Sequence, residues 1–230
     1  MRIGGFQKTS LLDYPDHLSA IIWTSGCNFS CPFCYNKELV LGDAPAIPED
    51  EVLSFLKKRK GKLEAVVISG GEPLLQDNLI DFLRKIKDLG YLVKVDTNGS
   101  FPENLQELLE AGVVDYVAMD VKAPKEKYER LTGVPIDLKK IEKSIEMISE
   151  HAPAYEFRTT FVPELLTKED IVEIAHWLRG AELYYLQQFK IMSSLLSEEL
   201  ETVTPYPKEY LEETLAAIKP CFKHCFVRGL

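Results

Sequence analysis

Short apolar runs alternate with amphipathic stretches along this chain, and the pattern predicts alternating strands and helices. Ser19–Trp23 carries Ile21, Ile22 and Trp23 in succession and reads as a strand. From Pro48 to about Lys60, Val52, Leu53, Phe55 and Leu56 supply the apolar positions of a helix that Gly61 stops. Ala65–Ser69 reads as a short buried strand ending at Gly70-Gly71, followed by a helix over Asn78–Leu89 that Gly90 stops. Tyr91–Val95 is a strand running out to Asn98-Gly99, and Pro102–Ala111 is a helix opened by Pro and closed by Gly112. The alternation continues with strands at Tyr116–Val121, Tyr155–Val162 and Leu183–Phe189 and helices at Leu138–Ser149, Lys168–Arg179 and Lys208–Ile218. Phe222–Val227 is a candidate for a final short strand.

Strict β/α alternation implies parallel strands joined by crossover helices. Six such strands are expected. An eight-unit barrel takes ~250 residues, and this chain has 230, with a long stretch spent between its first two strands. The expectation is therefore an α/β fold, a partial (β/α)6 TIM-like open barrel, with an open doubly wound sheet as the alternative. One domain should span residues 1–230, with its core at about 15–190 and a C-terminal helix and short strand over 205–230.

Composition narrows the function classes. Hydrophobic residues make up 46% and charged residues 27%, which excludes a disordered chain, a collagen-like repeat and a coiled-coil rod. With 27 Lys+Arg against 36 Asp+Glu the formal charge is −9, a poor basis for non-specific nucleic-acid binding. No apolar run approaches the ~20 residues of a membrane helix. Met1–Ser10 lacks the apolar centre of a secretory signal, so a cytoplasmic location is expected.

The cysteines change the picture most. Cys27, Cys31 and Cys34 form C-x3-C-x2-C in the loop after the first predicted strand, while Cys221 and Cys225 lie near the C-terminus. An odd number in a cytosolic chain argues against a disulfide framework. Three thiols within eight residues suit a soft metal or an iron–sulfur cluster. Zinc is the rival, but structural zinc asks for four ligands and no His or fourth Cys stands beside the triple. A cubane cluster can use three protein ligands and leave one iron open.

Three further segments lie at the C-terminal ends of predicted strands: Ser69-Gly70-Gly71-Glu72-Pro73, Asp96-Thr97-Asn98-Gly99 and Met119-Asp120-Val121-Lys122. Each alone has a plain reading, as a turn before a helix, an Asn-Gly turn and an Asp–Lys pair at a barrel rim. Together with the Cys loop they put chemistry at the one edge of a parallel sheet that carries active sites.

With these motifs on the page, the sequence resembles the radical S-adenosylmethionine enzymes. The likeness rests on Cys27-x3-Cys31-x-Phe33-Cys34 and on Gly70-Gly71-Glu72-Pro73. More narrowly it resembles the glycyl-radical activating enzymes, in particular those of anaerobic ribonucleoside-triphosphate reductase. That closer likeness is carried by Phe6–Ser10, Leu12–Pro15, Asp96–Gly99, Asp115–Pro124 and Phe157–Thr160. Tyr35 departs from the pattern, since relatives often carry His after the third Cys.

The resemblance implies that Cys27, Cys31 and Cys34 hold a [4Fe-4S] cluster whose open iron is chelated by S-adenosylmethionine. One-electron reduction would then give a 5′-deoxyadenosyl radical that takes a hydrogen atom from a glycine on a partner protein. It implies that Gly70, Gly71 and Glu72 meet the methionine amino group and that Lys122 pairs with the methionine carboxylate. Asp96 would shape the ligand site, Arg158 would reach the nucleoside side, and Gln187 or Gln188 would line the adenosine. Asp96, Thr97 and Asp120 resemble a monovalent-cation site. The implied partners are a glycyl radical enzyme and an electron donor such as flavodoxin or ferredoxin. The alternatives are activation of another glycyl radical enzyme of the pyruvate formate-lyase type, a radical enzyme acting on a small molecule, and a non-enzymatic zinc or iron–sulfur module. Cys221 and Cys225 read as two thiols on a terminal strand or its edge rather than as a second metal site. The basic run Lys57–Lys62 reads as a solvated helix end rather than a docking patch for the donor.

Overall fold

A computed structural model describes residues 1–191 and 194–230. It contains one eight-stranded sheet in the order β1-β2-β3-β4-β5-β6-β7-β8. The strands are β1 Ile3–Tyr14, β2 His17–Thr24, β3 Ala65–Gly70, β4 Leu92–Thr97, β5 Tyr116–Asp120, β6 Tyr155–Phe161, β7 Leu183–Gln188 and β8 His224–Arg228. β1 pairs antiparallel with β2, and every later pair is parallel. The helices are α1 Lys37–Leu41, α2 Glu49–Arg59, α3 Leu79–Asp88, α4 Pro102–Glu110, α5 Tyr128–Thr132, α6 Leu138–His151, α7 Lys168–Trp177 and α8 Lys208–Ile218. This is the expected α/β partial barrel: the sheet runs from one edge strand to the other without closing.

The six expected parallel strands are β2–β7, and β8 adds a seventh, so the sheet extends past the expected core of 15–190 at both ends. β1 was not foreseen. It opens with Ile3-Gly4-Gly5 and continues through exposed Gln7, Lys8 and Thr9, so it lacks the apolar run that marks a strand. Its glycines instead mark close approach, Gly5 lying against the Trp23 ring and Gly4 against Leu39.

Alternation along each strand separates two faces. Ala20, Ile22, Val66, Ile68, Val93, Val95, Val117, Met119, Phe157, Phe161, Tyr184 and Leu186 belong to the large core that also takes in the helices' apolar faces. α3 contributes Leu79, Phe82, Leu83 and Ile86, all buried. Local signals set the helix starts. Pro102 opens α4, the Asp137 carboxylate caps α6, and Thr167 with Asp170 forms a capping box on α7.

The opposite face looks into the barrel. Towards the N-terminal ends of the strands it is closed by Tyr14, Ile21, Ala65, Val67, Tyr116 and Ala118. Above them the interior turns charged. The Lys94 ammonium, 2% exposed, donates to the Asp13 carbonyl at 2.7 Å and lies 3.7 Å from both Asp96 and Glu156. Glu156, fully buried, accepts from Arg228 at 2.8 and 3.1 Å and from the Tyr116 hydroxyl at 3.1 Å. Through Arg228 this carboxylate ties the last strand to the barrel interior.

No helix among the described residues is long and apolar enough to cross a membrane.

Burial opposes ionisation of Glu156, but Lys94, Arg228 and Arg158 outweigh it and hold the carboxyl down to about 2, against an ordinary 4.5. As pH falls through 4.5, the unfolded chain takes up this proton before the folded one does. The stabilisation is therefore complete above that value and is lost progressively down to about 2. Integrated over that window it is on the order of 3 kcal/mol. Denaturant unfolding of wild type and Glu156→Gln between pH 6 and pH 2 should show the gap in stability narrowing by about that amount towards acid. A gap independent of pH would contradict this account.

Candidate active site

The loop after β2 carries the three clustered cysteines, and neighbouring backbone holds it at several points. The amide of Gly26 donates to Leu39, Ser30 to Thr132, Leu196 to Cys34 and Ser197 to Pro32, at 2.7–3.0 Å. The loop is thereby tied to α1, to α5 and to the segment after β7. Phe29 and Phe33 are buried beneath it, and Cys31 is 7% exposed with Cys27 and Cys34 partly so.

The Gly70-Gly71 pair is the seat for this loop. The Gly71 amide donates to the Thr24 carbonyl and the Glu72 amide to the Gly26 carbonyl, both at 2.9 Å. A Cβ on Gly71 would fall 1.9 Å from the Gly26 oxygen. Gly70 has φ +121°, and its Cβ would fall 2.3 Å from the Thr24 amide nitrogen. Both glycines are thus required by backbone packed against backbone, at the root of the Cys loop.

Glu72 is fully buried. Its carboxylate accepts from the Leu74 amide at 3.0 Å, the Thr97 hydroxyl at 2.8 Å and the Asn98 amide at 2.8 Å. Burial pushes it up to about 7 in spite of these three donors. The side chain therefore ties the turn after β3 to the loop after β4.

That second loop in turn holds the cysteine loop. Asn98 Nδ2 donates to Asn28 Oδ1 at 3.0 Å, and Asn28 Nδ2 donates to Ser100 Oγ at 2.9 Å. The Ser100 hydroxyl and amide both donate to Asn98 Oδ1. The sequence suggested only an Asn-Gly turn here, and Asn28 lies inside the Cys motif without a spacing signal of its own.

Asp120, Arg158 and Asp96 form a partly buried ion cluster at the upper end of the interior. Arg158 donates to Asp120 through Nε at 2.8 Å and Nη2 at 3.2 Å. Nη2 also lies 3.2 Å from Asp96, and Nη1 lies 3.6 Å from Glu156. Lys122 approaches Asp120 at 3.4 Å. Burial disfavours the Asp120 anion, but Arg158 and Lys122 hold its carboxyl far below the carboxylate range. Burial likewise disfavours the Lys122 ammonium, yet Asp120 and then the Cys31 sulfur keep it protonated. Burial pushes Cys27 up to about 12 and Cys31 up to about 11, and it raises Cys34; the Lys122 charge counters the rise at all three.

The expected residues therefore meet at the C-terminal ends of β2 to β6, with some changes of role. Arg158 is committed to carboxylates, so its guanidinium is held within the interior. Of the three residues expected at a monovalent cation, Thr97 donates its hydroxyl hydrogen to Glu72 and the two aspartates share Arg158, while Asp96 Oδ1 is buried with no hydrogen-bond partner. The register separates the two glutamines. Gln187 pairs with Thr160 and Arg228 on the interior face, while Gln188 turns to the helix side and donates to the Tyr206 carbonyl at 2.6 Å. Cys221 and Cys225 are buried in the helix-side core. Lys57, Lys58 and Arg59 end α2 next to the start of β3, at the opposite end of the strands from the Cys loop.

Comparison with known proteins settles the family. The profile of the radical SAM superfamily matches residues 21–178. The chain belongs to the radical SAM superfamily. Membership implies a [4Fe-4S] cluster and S-adenosylmethionine. A Methanocaldococcus jannaschii protein named "Putative glycyl-radical enzyme activating enzyme" is 37% identical over 212 residues, spanning 90% of this chain and 87% of its own. A second protein of that organism with the same description is 31% identical over 70% of this chain and 63% of its own length. Among solved structures, Streptococcus suis SuiB bound to its precursor peptide superimposes with a TM-score of 0.68 at 14% identity over 90% of this chain and 47% of that one. A domain of pyruvate-formate lyase-activating enzyme from Bacteroides vulgatus gives a TM-score of 0.55 at 21% identity, covering 72% of this chain and 99% of that domain. These structural likenesses bear on the fold.

The thiols fit a cluster of this family chemically. They form a soft donor set beside a fixed ammonium. Among the described residues no three His, Cys, Asp or Glu side chains converge on a single metal ion. In a cubane each thiolate meets a different iron, so its sulfurs stand further apart than the ligands of one ion.

Gly71→Ala should displace the Cys loop, since the added carbon meets the rigid backbone of Gly26 and Cys27. A loss of roughly 1–3 kcal/mol of unfolding free energy is expected, together with faster amide exchange over residues 26–34. Unchanged exchange in that loop would show that the glycine seat does not hold it.

Proposed function

We propose that this chain is a glycyl-radical enzyme activating enzyme. The reading is carried by one observation: 37% identity across 90% of the chain to a relative of that description, with the Cys loop, Gly-Gly seat and Lys122 meeting at one sheet edge. Cys27, Cys31 and Cys34 would hold the [4Fe-4S] cluster, which with S-adenosylmethionine supplies one-electron cleavage of a sulfonium C–S bond and a carbon radical able to take hydrogen from a glycine Cα.

The chain's own residues supply binding and exclusion of water. Lys122, kept protonated beside Asp120, presents a positive charge for the methionine carboxylate. The Gly70–Glu72 backbone, at the foot of the Cys loop, would meet the amino group. Arg158 fixes Asp96 and Asp120 as a rigid floor, and Gln187 faces the interior where the nucleoside would lie. The partner we favour is anaerobic ribonucleoside-triphosphate reductase, with flavodoxin or ferredoxin as electron donor in the cytoplasm. The basic end of α2 lies far from the Cys loop, which speaks against electron delivery there.

Anaerobic mixing of reconstituted, reduced protein with S-adenosylmethionine and candidate reductase should produce a glycyl-radical doublet in the electron paramagnetic resonance spectrum. Cys31→Ala should lose the stable cluster and the doublet together. Zinc without iron in the reconstituted protein, and no cleavage of S-adenosylmethionine on reduction, would sink the enzyme reading. A doublet with a pyruvate formate-lyase type partner alone would reassign the target.

A further inference from the structure

We propose that Asn98 is a positioning residue that donates an N–H···S hydrogen bond to Cys27 and thereby raises the reduction potential of the cluster that Cys27 helps to hold. The proposal rests on the cluster assignment above and goes beyond it, because neither the Cys motif nor the family match assigns a role to this side chain.

The geometry fixes which way the amide points. Asn98 Oδ1 accepts from both the amide and the hydroxyl of Ser100, at 3.0 and 2.5 Å. Turning the amide over would set its NH2 against the Ser100 N–H and its oxygen against Asn28 Oδ1. Nδ2 must therefore face the Cys loop. One of its hydrogens goes to Asn28 Oδ1 at 3.0 Å, and the nitrogen lies 4.0 Å from Cys27 Sγ. The main chain of Asn98 is anchored independently, by its amide on Glu72 at 2.8 Å. At 6% exposure the side chain has little water to compete for its donors.

Cys27 Sγ also accepts from the Phe29 amide at 3.4 Å. Backbone amides serve Cys31 and Cys34, so the contact to Cys27 is the one a substitution can delete. A donor to a ligating sulfur draws negative charge away from the cluster. It favours the reduced, more negative state and moves the potential upwards.

Two variants separate sulfur donation from loop tethering. Asn98→Ala removes the donor and the tether, whereas Asn28→Ala removes the tether and leaves the donor in place. The proteins are reconstituted without S-adenosylmethionine, iron and sulfide are counted, and the cluster is titrated by electron paramagnetic resonance against ambient potential. A hydrogen bond to a charged group is worth about 1.5 kcal/mol, or about tenfold. Asn98→Ala should therefore show about tenfold less reduced cluster at fixed potential, a downward shift of about 59 mV for one electron. Asn28→Ala should titrate like wild type. If Asn98→Ala takes up no iron, Asn98→Ser, which also lacks the amide, is read in the same way. Loss of iron in both Asn98 variants with full loading of Asn28→Ala upholds the contact. A midpoint unchanged in the Asn98 variant, or shifted equally in Asn28→Ala, overturns it. Wild type that takes up no cluster would overturn the cluster assignment itself, a result distinct from either.

Discussion

The site depends on a carboxylate that reaches no water. Glu72 is buried at the point where the turn after β3, the loop after β4 and the root of the Cys loop come together. Three donors meet it, and among the described residues no cation bonds to it directly. Burial still lifts it to about 7, so desolvation outweighs the hydrogen bonds. Such a group is tolerated only where each donor is held by its own strand or turn. Shifting any of the three segments would leave polar groups stranded in the core, and this makes the arrangement of loops cooperative.

The barrel interior follows the same logic on a larger scale. Lys94, Arg158 and Arg228 interleave with Asp96, Asp120 and Glu156 across β4, β5, β6 and β8, and Lys122 joins at the top. With four cations against three carboxylates, the cluster ends in a surplus positive charge on Lys122, next to the cysteines. Replacing such a network by apolar residues can leave stability unchanged or raise it, so ion pairing alone is a weak reason for its presence. Its geometric effect is clearer: it fills the barrel interior above the apolar layer with groups of fixed position and brings one ammonium, Lys122, next to the cysteines.

Much of this was legible in the sequence. Strands such as Ala65–Gly70 and Tyr116–Asp120 are continuous apolar runs because a parallel sheet here is covered on one face by helices and on the other by the barrel interior. Their C-terminal ends announced the site because charged and glycine residues interrupt those runs. β1 was illegible because its glycines and polar positions serve packing against Trp23 and exposure at an edge, and neither leaves a periodic trace. The partnership of Asn28 with Asn98 was illegible for another reason. It joins residues 70 apart whose contact exists only once Gly71 has seated one loop against the next strand. Arg158 could be found as a charge on a strand, but its three carboxylate partners come from β4, β5 and β6 and required the register.

The five cysteines show what burial does and does not say about chemistry. Desolvation pushes Cys225 up to about 12, as far as Cys27, so a raised thiol by itself does not separate a structural sulfur from a ligand. Their surroundings separate them. Cys225 and Cys221 sit in the helix-side core among apolar side chains, and the cation that counters the burial of Cys225 is Lys219. Cys27, Cys31 and Cys34 share Lys122, take backbone amides, and ride on a loop held by hydrogen bonds at both ends. A buried thiol becomes useful where the fold has already placed charge and donors for the anion it will become, and in this chain those are at the C-terminal edge of the parallel strands.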